Sequence, residues 1–376
     1  MKNILTVIIT FLMVIVFCPH VYAEMNNRQL DDLKYKIEER ISSALDDDTE
    51  SELRDAGITP TDIDSLTGLD QRSFFASLWD KFTEMLTKPL VMLGRILAVS
   101  LIYSAMNMLC TENSELTDVF GTLCVICVVT VMAESLSDSF ERLQNSVNSI
   151  NTFMISYIPI FSAVTTAGGH AATAGVYSAS TLLVCEAAEL ISSKLLIPLL
   201  STITALAVVS VTDPKLKISG FTDALRKLTT WLLSTVMLVF VGLLTIQGVT
   251  GKAADDLVSR TLRFTASSFI PVIGSSVSDA FLAVKSGAGV IKAAVGGFGM
   301  IAVFLIALRP FMLIISMKLT IWAGRIANEL LGIQRTAEFL KNINSVLSIG
   351  LSILIAITAA FLIATAALMA VMTGGG

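Results

Sequence analysis

From Pro89 onward the chain keeps returning to apolar runs of membrane-spanning length, and no other feature restricts its fold so tightly. A hydrocarbon layer about 30 Å thick needs about 20 helical residues to cross it. Backbone groups inside that layer must satisfy one another, which favours helices. Candidate spans therefore fall near 90–109, 117–136, 176–196, 198–213, 229–248, 288–308, 310–331 and 346–372, with 198–213 the shortest. The strand alternation of a membrane barrel is absent. The expected fold is all-α: a polytopic helical membrane protein behind a small N-terminal extracytoplasmic helical segment.

Charge divides the chain in the same way. Only 15% of residues are charged, against about 25% in soluble domains. Residues 24–88 hold 16 acidic and 8 basic groups, a net of −8, whereas residues from Pro89 onward hold 15 acidic and 17 basic, a net of +2. Ahead of both, residues 1–23 read as a signal peptide. Lys2 gives the positive start, Ile4 to Phe17 the apolar core, and Val21-Tyr22-Ala23 a small-residue cleavage site. The expected domains are thus 1–23, an acidic extracytoplasmic segment 24–88, and a membrane domain 89–376.

In the acidic segment Leu30, Leu33, Ile37, Ile41 and Leu45 keep helical spacing. A second short helix is expected to stop at Gly57, and Thr59-Pro60 to begin another. Phe74, Phe75, Leu78, Trp79, Phe82, Met85 and Leu86 then form an apolar stripe suited to a membrane interface or to packing on the segment itself. Within the membrane domain, Leu136, Phe140, Leu143, Val147, Ile150 and Met154 oppose Asp138, Glu141, Arg142, Gln144 and Asn148. That helix would lie on the membrane surface or cover the bundle. Lys215, Lys217, Arg226 and Lys227 suggest a cytoplasmic side for the 215–227 interval.

A duplication is readable at an offset of 112. Ser156-Tyr157-Ile158-Pro159-Ile160 resembles Ser268-Phe269-Ile270-Pro271-Val272, and Pro198 meets Pro310. The units would be 140–248 and 252–372. With three apolar segments each, they would be inverted relative to one another, as in many transporters. Pro159, Pro198, Pro271 and Pro310 are the candidate helix elbows, because proline ends or kinks a helix.

Recognisable enzyme chemistry is missing. His20 falls in the signal peptide, which leaves His170, a loop or helix-start residue beside Gly168-Gly169. No HExxH, GxSxG or Walker A loop occurs. Cys124 and Cys127 have CxxC spacing but lie in an apolar helix, where packing is the plainer role. The expectation is a non-enzyme without cofactor, metal or nucleic-acid partner. What stands out is charge in apolar surroundings, which is costly in a bilayer. Arg95 interrupts the first span, Glu186, Glu189 and Lys194 cluster in the third, and Arg309 and Lys318 lie further on. The last five are candidates for a polar pathway or an inter-helix ion-pair cluster, against the alternative that they snorkel to headgroups. Gly289, Ala293 and Gly297, and likewise Ala356, Ala360 and Ala364, make small-residue faces for close helix packing.

The run Thr245-Ile246-Gln247-Gly248, with Asp256, Arg260-Thr261-Leu262-Arg263-Phe264, Phe269-Ile270-Pro271-Val272-Ile273-Gly274 and Asp279, resembles the stage III sporulation protein AE family. Ile197-Pro198-Leu199 and the run to Ser210 are similar to it as well. The resemblance implies a mother-cell membrane component of the assembly joining mother cell and forespore, required for late forespore gene expression. It implies as partners the bilayer and other membrane proteins of that assembly, and it brings no catalytic residue set. The two functions that follow are a transport or channel component, permease-like, and a membrane scaffold that only positions partners. The sequence carries no signal of oligomeric state.

Overall fold

A computed structural model describes residues 27–67, 71–109, 114–168, 170–191, 194, 197–212, 220–221, 223–240, 242 and 274–373. The described residues are helical between short connections and contain no strand. Helices α1 (Asn27–Ser42), α2 (Asp47–Asp55) and α3 (Ile63–Thr67) form the acidic segment. There follow α4 (Gln71–Leu109), α5 (Ser114–Ala167), α6 (Ala171–Ile191), α7 (Ile197–Thr212), α8 (223–240), α9 (Gly274–Leu330) and α10 (Gln334–Thr373). The signal peptide and the family-like run from Thr245 to Ile273 lie outside the described residues.

The apolar spacing of the first segment is realised. Ile37 and Ile41 are buried, joining Leu53 and Ile58 in the same hydrophobic core as the membrane helices. α2 ends as expected at Gly57, whose φ of +68° suits glycine. The Ile58 amide returns to the Leu53 carbonyl in the reverse bond of a glycine-closed helix end. The next helix starts later than Thr59-Pro60. Asp62 receives the Asp64 amide on its side chain, and α3 begins at Ile63. The boundary expected at residues 88 and 89 falls inside α4, which runs through Pro89.

Three long helices make the spine. α9 and α10 form an antiparallel hairpin closed at Gly332, with a φ of +74° and the Ile333 amide bonded to the Asn328 carbonyl. α5 lies antiparallel to α9: Ser146 meets Ile306, and Tyr157 meets Val295. The amphipathic stripe of α5 covers the bundle, with Leu143, Val147, Ile150 and Met154 buried and Glu141 and Arg142 exposed. Glycines let the spine close. A Cβ on Gly296 would fall 2.9 Å from Met369 Cγ of α10, and one on Gly299 would strike the Tyr157 ring of α5. The small-residue face of α9 thus serves internal packing. Gly297 faces Leu66 of α3, so the acidic segment docks on the same helix.

Five described helices are long and apolar enough to cross a membrane, with Pro198–Val209 a shorter apolar helix. The separate spans expected at 288–308 and 310–331 are one continuous helix, and 117–136 continues into the amphipathic stretch. The apolar part of α9, Gly289–Leu330, has 42 residues, or about 63 Å at 1.5 Å per residue. Even the steepest usual tilt, about 40°, cannot place that length within about 30 Å of hydrocarbon. Part of α9 therefore stands outside the hydrocarbon layer.

Candidate functional site

Each charged residue singled out in the apolar helices has a definite setting. Arg309, on α9, reaches the acidic segment. Its Nη1 donates to Asp48 Oδ2, and its Nε donates to Glu52 Oε1 at 3.2 Å. The same Glu52 oxygen accepts Lys81 Nζ at 2.6 Å. Two cations and two carboxylates thereby tie α2, α4 and α9 together. Glu52 is the inner member, its side chain 10% exposed against 64% for Asp48.

Lys318 lies one stretch further along α9. Its Nζ donates to the Asn344 carbonyl at 3.2 Å, to Asn344 Oδ1 at 3.3 Å, and to Ser348 Oγ. Asn344 and Ser348 are four apart on α10 and so stand one above the other. Nearby, Arg226 of α8 donates through Nη2 to the carbonyl and Oδ1 of Asn342, both at 3.2 Å. Burial pulls the Arg226 guanidinium below its ordinary pKa, and Asp223 at 3.6 Å opposes that shift. α10 is therefore held by cations through neutral amide oxygens.

Glu186, Glu189 and Lys194 are exposed. Glu189 Oε2 lies 3.5 Å from Asn151 Nδ2 of α5, the outer limit of a hydrogen bond. The five charged candidates therefore divide among three settings and do not meet in one cavity. Arg95 is also exposed. Of the candidate elbows, Pro159 and Pro310 lie inside α5 and α9, and neither ends its helix. Pro198 is the second described residue of α7. Pro271 lies outside the described residues.

Polar groups that the sequence did not single out are buried deeper. Lys292 is only 2% exposed, and its Nζ donates to the Leu368 carbonyl of α10 at 2.9 Å. It stands between Gly289 and Gly297, in the stretch that reads as a small-residue face. The readable signal was one lysine in a glycine, alanine and valine run. On α6 and α5, Tyr177 Oη, Thr181 Oγ1 and Asn151 Oδ1 are buried without a protein hydrogen-bond partner. Cys124 and Cys185 are buried and Cys127 is exposed, all with free thiols. Among the described residues no three His, Cys, Asp or Glu side chains converge as metal ligands. His170 stands at the start of α6, where its carbonyl accepts the Ala174 amide.

Against this geometry, the family description that matches the chain is stage III sporulation protein AE, over residues 65–372. The chain belongs to that family. The matched region holds α4 to α10, and with them Arg309, Lys318 and Lys292, but begins after Asp48 and Glu52. The Bacillus subtilis (strain 168) protein named stage III sporulation protein AE is 22% identical over 206 residues, which cover 55% of this chain and 52% of that protein. The chain thus spans about half the length of the curated relative it matches. No solved structure matches it. The chain is a membrane protein of a sporulation family, with helices suited to the bilayer.

Proposed function

We propose that this chain is a non-enzymatic integral component of a transport or channel assembly joining mother cell and forespore, permease-like in character. It would reside in the mother-cell membrane facing the forespore, among other membrane proteins of that assembly. The observation that carries this reading is polarity inside the bundle. Tyr177, Thr181 and Asn151 keep polar atoms buried and unmatched by protein. Lys292 lies beside the last turns of α10. A bilayer penalises such groups, so they mark polar routes more often than packing. A scaffold would hold its polarity at outer interfaces. The exposed Glu186, Glu189 and Lys194 are the observation on that side.

The test is genetic. Deleting the gene in an endospore-forming host is expected to arrest development after engulfment, leaving vegetative growth intact. The wild-type gene should restore heat-resistant spores. A variant carrying Tyr177→Phe and Thr181→Val should still reach the membrane and co-purify with the wild-type set of partners, yet restore few spores. Normal spore counts in the deletion strain would defeat the family-level role. Full rescue by the double variant would favour the scaffold.

A further inference from the structure

The described part of α6 is an apolar helix of 21 residues, about 32 Å long and enough to cross a membrane. Its mean hydropathy, 1.3, is the lowest of the five, and one row of side chains contributes to that. Thr173, Tyr177, Thr181, Cys185 and Glu189 follow at intervals of four. Such a row is a ridge slanting across the helix, and this one begins in the buried interior and emerges at Glu189. The first four residues are buried and Glu189 is exposed. His170 stands at the other end of the helix. From His170 to Glu189 the rise is about 28 Å, close to the thickness of a hydrocarbon layer.

The surroundings of the ridge are partly polar too. Tyr177 packs edge-on against Phe161 of α5, with ring centroids 5.8 Å apart, and Thr365 of α10 lies beside its hydroxyl. Tyr177 Oη and Thr181 Oγ1 lie beside one another without a well-formed protein hydrogen bond, and Asn151 Oδ1 at the Glu189 end has none either. Spacing decides what chemistry these oxygens serve. Successive ridge positions rise about 6 Å. Buried hydroxyls that lack a well-formed protein hydrogen bond are completed by trapped water. An oxygen-ligated cation needs several ligands together within about 2.5 Å, which a ladder of single groups does not offer.

Resting on the transport reading above, we infer that the ridge of α6 holds a file of water that conducts protons between His170 and Glu189. Each hop makes one O–H bond and breaks the next. Water, phenol and alcohol each accept one proton and release another, and no electron moves. Imidazole and carboxylate each bind and release a proton, suiting the two ends to load and unload the file.

The full chain, purified into phospholipid vesicles with an entrapped pH dye and a potassium–valinomycin clamp, tests this. A protein-dependent proton leak is expected, several-fold slower in Tyr177→Phe, Thr181→Val and Glu189→Gln. Tyr177→Phe and Thr181→Val should keep the wild-type unfolding midpoint, since they remove polar atoms without a well-formed protein hydrogen bond, and Glu189→Gln should keep it because the side chain is exposed. In a Cys18→Ala, Cys110→Ala, Cys124→Ala, Cys127→Ala background, the S–H infrared band of Cys185 should convert promptly in heavy water. No leak, an equal leak in all three variants, or a Cys185 thiol that stays protonated in heavy water each overturns the proton file. Should the file fail while the deletion strain makes no spores, the transport reading stands without it. Normal spores would remove that reading whatever the vesicles show.

Discussion

Ser146 Oγ donates a 3.0 Å hydrogen bond to the Ile306 carbonyl, and Ile306 stands four residues before Pro310. In an unbroken helix that carbonyl would accept the amide of residue 310, which proline lacks. A side chain from α5 supplies the missing donor. This is the kind of substitution that keeps proline tolerable within a membrane helix, and it explains why α9 runs through a residue expected to end it.

A double-mutant cycle measures the arrangement. Ser146→Ala should cost about 1–3 kcal/mol, the usual penalty for a buried carbonyl left unpaired. In a Pro310→Ala background residue 310 has its amide again, so Ser146→Ala should cost much less. Denaturant unfolding in detergent reads both. Equal costs in the two backgrounds would mean that Ser146 does not stand in for the amide.

The acidic segment gives a second prediction. Arg309 with Asp48 is a largely exposed pair, worth at most about 1 kcal/mol. Glu52 is shielded and accepts from both Arg309 and Lys81, so Glu52→Gln leaves Lys81 without its carboxylate and Arg309 with the exposed Asp48 alone. Limited proteolysis at the connections around residues 43–46 and 57–62 should accelerate clearly in Glu52→Gln and little in Asp48→Asn. The reverse order would place the anchor at the outer pair.

These two sites show what the sequence carries and what it hides. Local pattern was legible: the stripe from Leu136 to Met154 buries as its spacing requires, and Gly57 ends α2. Arg309 and Lys318 also stood out, because a charge in an apolar run is visible without a partner. Their partners were not visible. Asp48 and Asn344 lie 261 and 26 residues away, and only folding selects them from many candidates. The continuity of α9 was hidden for the same reason, since Ser146 compensates Pro310 from 160 residues away. Lys292 was overlooked because its small neighbours dominate the local pattern. The ridge of α6 was overlooked because single threonines and a tyrosine barely alter an apolar run.

A third prediction concerns close packing. Tyr157 is fully buried, and its ring stacks between Phe153 and Phe161 with centroids 5.4 Å from each. It has little room to yield, and a Cβ on Gly299 would lie 2.6 Å from its Cε2. Gly299→Ala should therefore destabilise by about 1–3 kcal/mol as an overpacked core does. Gly94→Ala, with nothing within 4 Å, should be neutral or slightly stabilising. Tyr157→Leu should relieve part of the Gly299→Ala cost. Thermal unfolding of the wild type, the three single variants and the Gly299→Ala, Tyr157→Leu double variant decides it, and independent, additive effects would mean that the ring is not the obstacle.

The last prediction separates stability from function at Lys292. A buried ammonium loses its hydration, a cost that its bond to the Leu368 carbonyl offsets. Methionine has nearly the same length and no charge. Replacing buried charge by apolar volume is commonly neutral, or stabilising by about 1–4 kcal/mol. Lys292→Met should thus keep or raise the unfolding midpoint, whereas Lys292→Ala should lower it by opening a cavity. If stability alone governed this position, methionine would serve as well as lysine. The expected result is a Lys292→Met protein that folds, reaches the membrane and fails to restore spore formation, because a charge held at a cost in an apolar bundle serves function by default. Lys292→Arg should recover part of the activity if charge is what matters, despite its larger head. Normal spore counts from Lys292→Met would instead assign the lysine to packing, with its carbonyl bond a local accommodation between α9 and α10.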